Sequence, residues 1–487
     1  MTGASDPSAL LRVSQMQEAD RLTEAAGISG EDLMHNAGTA VAREIMSRWS
    51  ARPITVLCGP GNNGGDGFVV AGALESAGWP VRVALLGAVA HLRGDAARHA
   101  GRWRGRIEPL DEGVLDGAEL VVDALFGAGL SRPLGADVTR VLAAVAERRI
   151  PVAAVDVPSG VMGDTGESLG AIQARLTITF TRKKPAHLLL PGRDLCGTQV
   201  LADIGTPASV LERIEVDTWE NGPALWRQRL PQVGASDNKY SRGHALLVGG
   251  YPTTGAARMA ARAAARMGAG LTTIAVPERG LDVYAAALTS IMVRPLSSAR
   301  DLPHLLEDRR FTAYLIGPGA GIGEETRERT LAMLGTGRPV LLDADALTVF
   351  AGQPKELFQA IRGPCVLTPH EGEFARLFDP SGDKLTRARR AARESGALIV
   401  LKGADTVIAA ADGRAVVNAN APATLATGGS GDVLGGMILG LLTQGMDAFA
   451  AAAAAVWLHG AAALDFGPGL LAEDLPDLLP GVLRRLT

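Results

Sequence analysis

The stretch Cys58-Gly-Pro-Gly-Asn-Asn-Gly-Gly-Asp-Gly-Phe68, "CGPGNNGGDGF", directly follows the apolar run "ITVL". A chain that leaves a buried strand through so many glycines and then enters a helix offers bare backbone N–H groups to something negative. This loop lacks the lysine of a nucleotide P-loop and carries Asn62, Asn63 and Asp66 instead. Outward from it, from about Ile54 to Gly205, short runs rich in Val, Ile and Leu ("ITVLC", "VRVALLG", "ELVVDAL", "PVAAVDV", "LTITFT") alternate with helical stretches such as "FVVAGALESAG" and "DVTRVLAAVAERR". That rhythm means parallel βαβ units with helices on both faces of a sheet.

Between roughly Thr206 and Asn238 the periodicity dissolves into a Pro- and Gly-containing segment of mixed charge. Beyond it a second alternating series begins: "HALLVGG", "LTTIAVP", "TAYLIGPG", "PVLLDADAL", "CVLTPH", "LIVLKG", "DTVIAAADG". The pattern predicts two α/β domains in series, residues 1–215 and 216–487. The length agrees, since 487 residues exceed what one hydrophobic core encloses. A net charge of −4 gives no global field for nucleic acid or an anionic membrane. Three dispersed cysteines, Cys58, Cys196 and Cys365, suit a reducing compartment better than a disulfide framework. The greasy run from Ala448 is mostly alanine and contains His459, which fits a buried core helix better than a membrane span. The first residues lack the pattern of a signal peptide. A cytoplasmic enzyme acting on small molecules, without nucleic-acid or membrane partners, is expected, and a homo-oligomer with it.

Ligands of open α/β sheets bind outside the carboxyl ends of the strands. At those ends stand Asn62, Asn63 and Asp66, then Asp123, then Asp156 with Ser159. Asparagine carbonyls, a hydroxyl and one carboxylate form a hard-oxygen set of low charge, matched to a weakly held monovalent cation. Backbone N–H groups of Gly64, Gly65 and Gly67 and the loop "FGAGLSRP", with Arg132, face a phosphate. The blander readings make Asp66 a helix N-cap and Asp156 a turn-former beside Pro158.

In the second half, "NAPATLATGGSGDVLGGMILGLLTQG" leads small residues into an apolar helix. There Gly428, Gly429 and Gly431 can aim N–H groups at a phosphate, and Asp432 can take a proton from a hydroxyl attacking phosphorus. Other strand ends bring Lys402 to Thr406, His370 with Glu371 and Glu373, Gly317-Pro-Gly319, and Asp343 with Asp345. The last two aspartates could hold magnesium through water. Helix capping is the preferred reading.

The motifs "CGPGNNGGDGF", "VVDALFGAGLSRPL", "AVDVPSGVMGDTG" and "LTITFTRKKPAHLLLPGRDLCGTQVLADIGTP" stand in the order of the N-terminal domain of NAD(P)H-hydrate repair proteins, which this half resembles. The resemblance implies a Rossmann-like α/β/α domain that interconverts the R and S forms of NADH or NADPH hydrated at C6. It implies potassium at Asn63, Asp123 and Ser159. It also implies a hydrate site lined by Asn62, Asn63, Gly64, Gly65, Asp66, Gly127, Ala128, Gly129, Leu130, Ser131, Arg132, Pro133 and Asp156. Epimerisation at C6 needs proton transfer around the C–OH group, which makes Asp156 the expected acid/base. Lys183 and Lys184 either steady the phosphates or, as the preferred reading, form a solvated turn.

The second half, with "NKYSRGHALLVGG", "LLDADAL", "LTPHEGEF", "LKGADTVI" and "NAPATLATGGSGDVLGG", resembles the ribokinase-like dehydratase domain of the same family. That implies ADP-dependent dehydration of the S hydrate, with magnesium accompanying the nucleotide. Asp432 is the implied base, and Ala256, Gly319 and His370 contact the hydrate. Lys402, Gly403, Ala404, Asp405, Thr406 and Gly431 hold ADP. The loop "GGYPTTGA" departs from the family in lacking a serine after the glycine pair. The alternative reading is a ribokinase-superfamily small-molecule kinase fused to a dinucleotide-binding module.

Overall fold

The computed structural model describes residues 4–298 and 300–486. The chain divides into two compact units, Met1–Trp219 and Glu220–Thr487.

The first unit is built on seven strands: β1 (Ile54–Cys58), β2 (Val81–Leu85), β3 (Ile107–Pro109), β4 (Leu120–Ala124), β5 (Val152–Val155), β6 (Leu176–Phe180) and β7 (Thr198–Ala202). Their order is 3-2-1-4-5-6-7, and every pairing is parallel. Strands β1, β4, β5 and β6 are buried along their whole length, which is why they read as continuous apolar runs. One face packs on α2 (Gly30–Arg48) and α3 (Asn62–Ser76), whose Ile45, Phe68 and Leu74 fill that core, while Ala19 and Leu22 of α1 (Val13–Ala25) pack in a separate cluster with Val210 and Leu211. The other face is covered by Val138, Val141, Leu142 and Val145. Strand order reverses between β1 and β4, so a crevice opens where the chain leaves those two strands.

The second sheet has ten strands, with β8 (Thr218–Glu220), which spans the boundary at Trp219–Glu220, at one edge. The others are β9 (His244–Val248), β10 (Leu271–Pro277), β11 (Met292–Leu296), β12 (Phe311–Ile316), β13 (Val340–Leu342), β14 (Cys365–Leu367), β15 (Leu398–Leu401), β16 (Val407–Ala409) and β17 (Ala415–Val417). The order is 11-10-9-12-13-14-15-16-17-8, parallel from β11 to β15 and antiparallel through β16 and β17. Its switch point lies between β9 and β12. Helices Gly255–Arg266 and Ser430–Thr443 cross in close contact: a Cβ on Gly436 would lie 2.0 Å from the Ala260 carbonyl oxygen. Small residues on both helices permit this approach, which fixes where the second helix begins. Helix Ala448–Phe466 is long and apolar enough to cross a membrane. Its alanines from Ala450 to Ala455 are all buried in the unit, as in a core helix.

Five strands escaped the sequence pattern. β3, β8 and β17 have three residues each, β7 is only half-buried, and β11 contains Arg294 and Pro295. All but β17 lie at sheet edges, where one-sided burial weakens the apolar signal and proline is tolerated.

Candidate active sites

In the first unit a cavity of about 600 Å³ opens at the switch point. Its lining includes Asn62, Asn63 and Asp66 of α3, Gly127 to Arg132 after β4, Asp156 after β5 and Lys184 after β6. Pro133 instead lines a neighbouring cavity of about 370 Å³ that shares Arg132. The glycine-rich stretch is not a loop but the start of α3, whose N-cap is Gly61. Asp66 therefore does not cap the helix. Gly65 N–H is already committed to the Gly61 carbonyl (3.1 Å), and Gly67 lies a further turn inside. Of the amides read as facing a phosphate, those of Gly65 and Gly67 lie inside the helix, and the first-turn amides are those of Asn62, Asn63 and Gly64. The glycines serve packing instead. A Cβ on Gly64 would sit 1.8 Å from the Gly59 carbonyl oxygen, and one on Gly65 2.4 Å from the Met34 sulfur.

Asp123 is fully buried at the end of β4. Its carboxylate accepts Ser159 Oγ–H (2.6 Å) and Ser159 N–H (2.8 Å), and Ser159 Oγ also accepts Phe126 N–H (2.9 Å). Burial raises the Asp123 pKa, with the Ser159 and Leu125 hydrogen bonds opposing it. Asn63 Oδ1 lies against Gly127, close to Asp156 Oδ2, and the buried Asn63 Nδ2 has no hydrogen-bond partner among the described residues.

Lys184 is no solvated turn. It is almost wholly buried, with Nζ 2.6 Å from Asp156 Oδ1 and 2.9 Å from Thr179 Oγ1. Asp156 has φ 67°, a left-handed conformation that aspartate tolerates better than most residues. The His187 ring meets its carbonyl (3.0 Å), and Ala128 N–H donates to its second carboxylate oxygen (3.1 Å). Burial pushes the Asp156 carboxyl up, but the Lys184 ammonium outweighs it and brings the pKa down to about 2. This carboxylate is a standing anion, poorly suited to donating a proton near neutrality.

In the second unit the site gathers around the N-terminus of helix Ser430–Thr443. Gly429 at its N-cap has φ 94°, where a side chain would be strained. Asp432 sits in the first turn. Burial first, then Asp343, raise its pKa to about 6, with Lys402 opposing. Lys402 Nζ reaches Asp343 Oδ1 (2.8 Å) and Glu373 Oε2 (3.9 Å), and would lie 3.4 Å from a Cβ on Gly431. Burial works against the Lys402 charge, but Asp343 and Glu373 keep its pKa raised. The Lys402–Thr406 turn is closed by Thr406 Oγ–H on the Gly403 carbonyl (2.7 Å), and Asp405 pairs with the partly buried Lys384 (2.6 Å).

Neither Asp343 nor Asp345 caps a helix. Asp343 is the partner of Lys402, and Asp345 accepts Gly321 N–H (2.8 Å), tying down the loop after β12. Gly319 stacks on the loop after β9: a Cβ on Gly250 would lie 1.6 Å from its carbonyl oxygen. Ala256 opens the helix that packs on Ser430–Thr443. His370 caps helix Glu371–Leu377, Nδ1 accepting Gly372 N–H (3.0 Å). Its ring remains half-exposed.

The family model for NAD(P)H-hydrate dehydratase matches residues 245–479, and that for the YjeF-related protein N-terminus matches residues 30–186. A bifunctional NAD(P)H-hydrate repair enzyme from Salinibacter ruber is 37% identical over 98% of this chain and 97% of its own. The one from Coxiella burnetii is 36% identical over 95% and 96%. The chain belongs to the bifunctional NAD(P)H-hydrate repair enzymes. A solved ribokinase-like superfamily protein from Enterococcus faecalis covers 56% of this chain and 97% of its own, at 26% identity and a TM-score of 0.50. In this repair enzyme the first glycine-rich motif lies at the β1/β4 switch point, and the second meets Lys402 after β15, with Asp343 after β13 close to its aspartate. The pattern gave no sign of Asp20 on α1, which lines the first cavity, of Lys384, or of His459, whose ring meets the backbone of Ser430. Asp20 and Lys384 stand among other charged residues of amphipathic helices and His459 in an alanine-rich one, where no spacing sets them apart.

Proposed function

We propose that the first unit interconverts the R and S hydrates of NADH and NADPH, and that the second dehydrates the S form with ADP. The C6 hydroxyl attacks the terminal phosphorus of the nucleotide as Asp432 takes its proton. The phosphate ester then eliminates, C6–O breaks as a C5 proton leaves, and the ring double bond returns without redox change. The observation that carries this is Asp432 in the first turn of a helix, beside Lys402, with a pKa of about 6. A carboxylate so poised is ionised at neutral pH yet basic enough to work. Lys402 to Thr406 and Gly431 hold the nucleotide, and Gly319, His370 and Ala256 hold the hydrate. Magnesium would accompany the nucleotide's phosphates.

The enzyme is tested by giving it a mixture of R and S hydrates with ADP or ATP in parallel. Full recovery of reduced-nicotinamide absorbance with ADP is expected. A stable phosphorylated product without that recovery overturns the dehydratase reading, and recovery stopping at the S fraction overturns the epimerase reading.

In the first unit the Asp123 carboxylate, Ser159 Oγ, the Phe126 carbonyl and the Asn63 amide fit a potassium ion. A cation there would offset the buried charge of Asp123 and engage the unpartnered Asn63 amide group once its oxygen faces inward. Ligand linkage then makes the first unit's melting temperature rise with potassium concentration. N-methylglucamine at equal ionic strength should leave it unchanged, and Asp123→Asn should remove the potassium dependence. Equal melting in both salts would refute the assignment.

A further inference from the structure

The first cavity has a second wall that the sheet-edge motifs do not supply. Val13, Met16, Gln17, Asp20 and Glu24 of α1 all line it, spaced as one face of a helix. The helix is anchored at its start, where Val13 N–H donates to Asp164 Oδ1 (2.7 Å). Its opposite side is packed through Ala19 and Leu22. Asp20 thus faces the cavity from a fixed element, while Asp156 and Lys184 face it from the sheet edge. Epimerisation at one carbon needs access to both faces of a ring. A carboxyl on each wall provides it.

The geometry points to Asp20 as the proton-carrying catalytic residue of the epimerisation, with Asp156 the fixed anion at the sheet edge of the same cavity. This rests on the reading of the first unit as the epimerase.

The three cavity carboxyls differ in what their surroundings allow. Asp156 is pinned as an anion by Lys184. Asp66, on α3, is buried, and burial and then Asp156 and Asp20 push its pKa well above the ordinary carboxylate range. Asp20 meets charge from Lys184 and Asp156 across the cavity, from Glu24 on its own helix and from Asp66 on α3. Burial raises its pKa to about 6, opposed by Lys184 and aided by Asp156 and Glu24. Groups whose environments drive their pKa values apart take distinct acid and base roles.

The step balances without a further reactant. Protonated Asp20 gives its proton to the C6 hydroxyl and the C6–O bond breaks, so that water leaves. The N1 lone pair forms the N1=C6 bond, and the Asp156 carboxylate faces the resulting cation. Water adds to the other face of C6, the N1=C6 pair returns to N1, and the surplus proton passes back to Asp20 through the water just released. The product is the other epimer, and Asp20 is protonated as at the start.

The test uses the full chain without nucleotide, so that dehydration is silent, and follows R to S conversion by chromatography against a protein-free blank. Asp20→Asn is expected to lower kcat about 100-fold with KM unchanged, and to leave dehydration of pure S hydrate with ADP at the parent rate. The parent's epimerisation should fall as pH rises through about 6. The Asn variant should lack that limb, and Asp20→Glu should restore part of the rate and the limb. Parental kcat in Asp20→Asn, a loss confined to KM, or a Glu variant no faster than the Asn variant would each overturn the proposal. A parent chain no faster than the blank would instead overturn the epimerase reading itself.

Discussion

Asp432→Ala protein should regenerate NADH from the S hydrate about 10² to 10⁴ times more slowly than the parent, the range by which positioned acid–base groups accelerate reactions. Epimerisation in the first unit should be untouched. The size of the effect follows from the site's electrostatics. Asp432 is buried and crowded by Asp343, Asp345 and Glu373, which raise its pKa, while Lys402 lowers it, and the balance rests at about 6. Lys402 is itself shared with Asp343 and Glu373, so it neutralises part of the crowd without holding Asp432 fully ionised. The sign for pH follows: the base must be deprotonated, so dehydration should rise as pH increases through about 6 and then level. Epimerisation, needing a proton on Asp20, should run the opposite way. Stopped-flow measurement of NADH recovery from pure S hydrate, with saturating ADP, checks the first claim. Parental speed in Asp432→Ala would sink the assignment of the base.

How much of this was legible in the sequence depends on whether a residue's role is local. The buried parallel strands were, because burial on both faces writes an unbroken apolar run. So was the placement of Asp123, Asp156 and Asp432, since the first ends a strand, the second directly follows one and the third sits in the first turn of a helix. Lys184 was misread because adjacent lysines usually face solvent. Only the fold shows that Thr179 and Asp156, on two different strand ends, close around its ammonium. Asp343 and Asp345 were misread for the same reason: their partners, Lys402 and Gly321, are distant in sequence. The helix start at Asn62 was placed too late because glycine has poor helix propensity. Here the close approaches to Gly59 and Met34 require glycine within the helix and override that preference.

The buried pair of Lys184 and Asp156 carries the largest stability effect expected in the first unit. Lys184→Met removes an ammonium that touches both Asp156 and Thr179 and leaves a carboxylate in a pocket made for a pair. Breaking a buried pair in this way costs about 3–5 kcal/mol, on the order of 10 °C in the melting of a unit this size. In the parent, the folded pKa of Asp156 lies near 2, below its unfolded value. The pair therefore stabilises the fold above the unfolded carboxylate pKa, and that contribution is lost as pH falls through about 2. In the variant the shift changes sign, because burial, the largest influence, is then opposed by His187 and the Ala128 N–H and raises the folded pKa. The ionised carboxylate then destabilises the fold at neutral pH, and the deficit against the parent should shrink on acidification. Thermal melts of both proteins across the acid range measure this directly. Adding Asp156→Asn to Lys184→Met removes the stranded charge, so the double variant should melt above the Lys184→Met single variant at neutral pH. Additive losses from the two substitutions, or a deficit that does not change with pH, would mean that Lys184 contributes packing rather than charge.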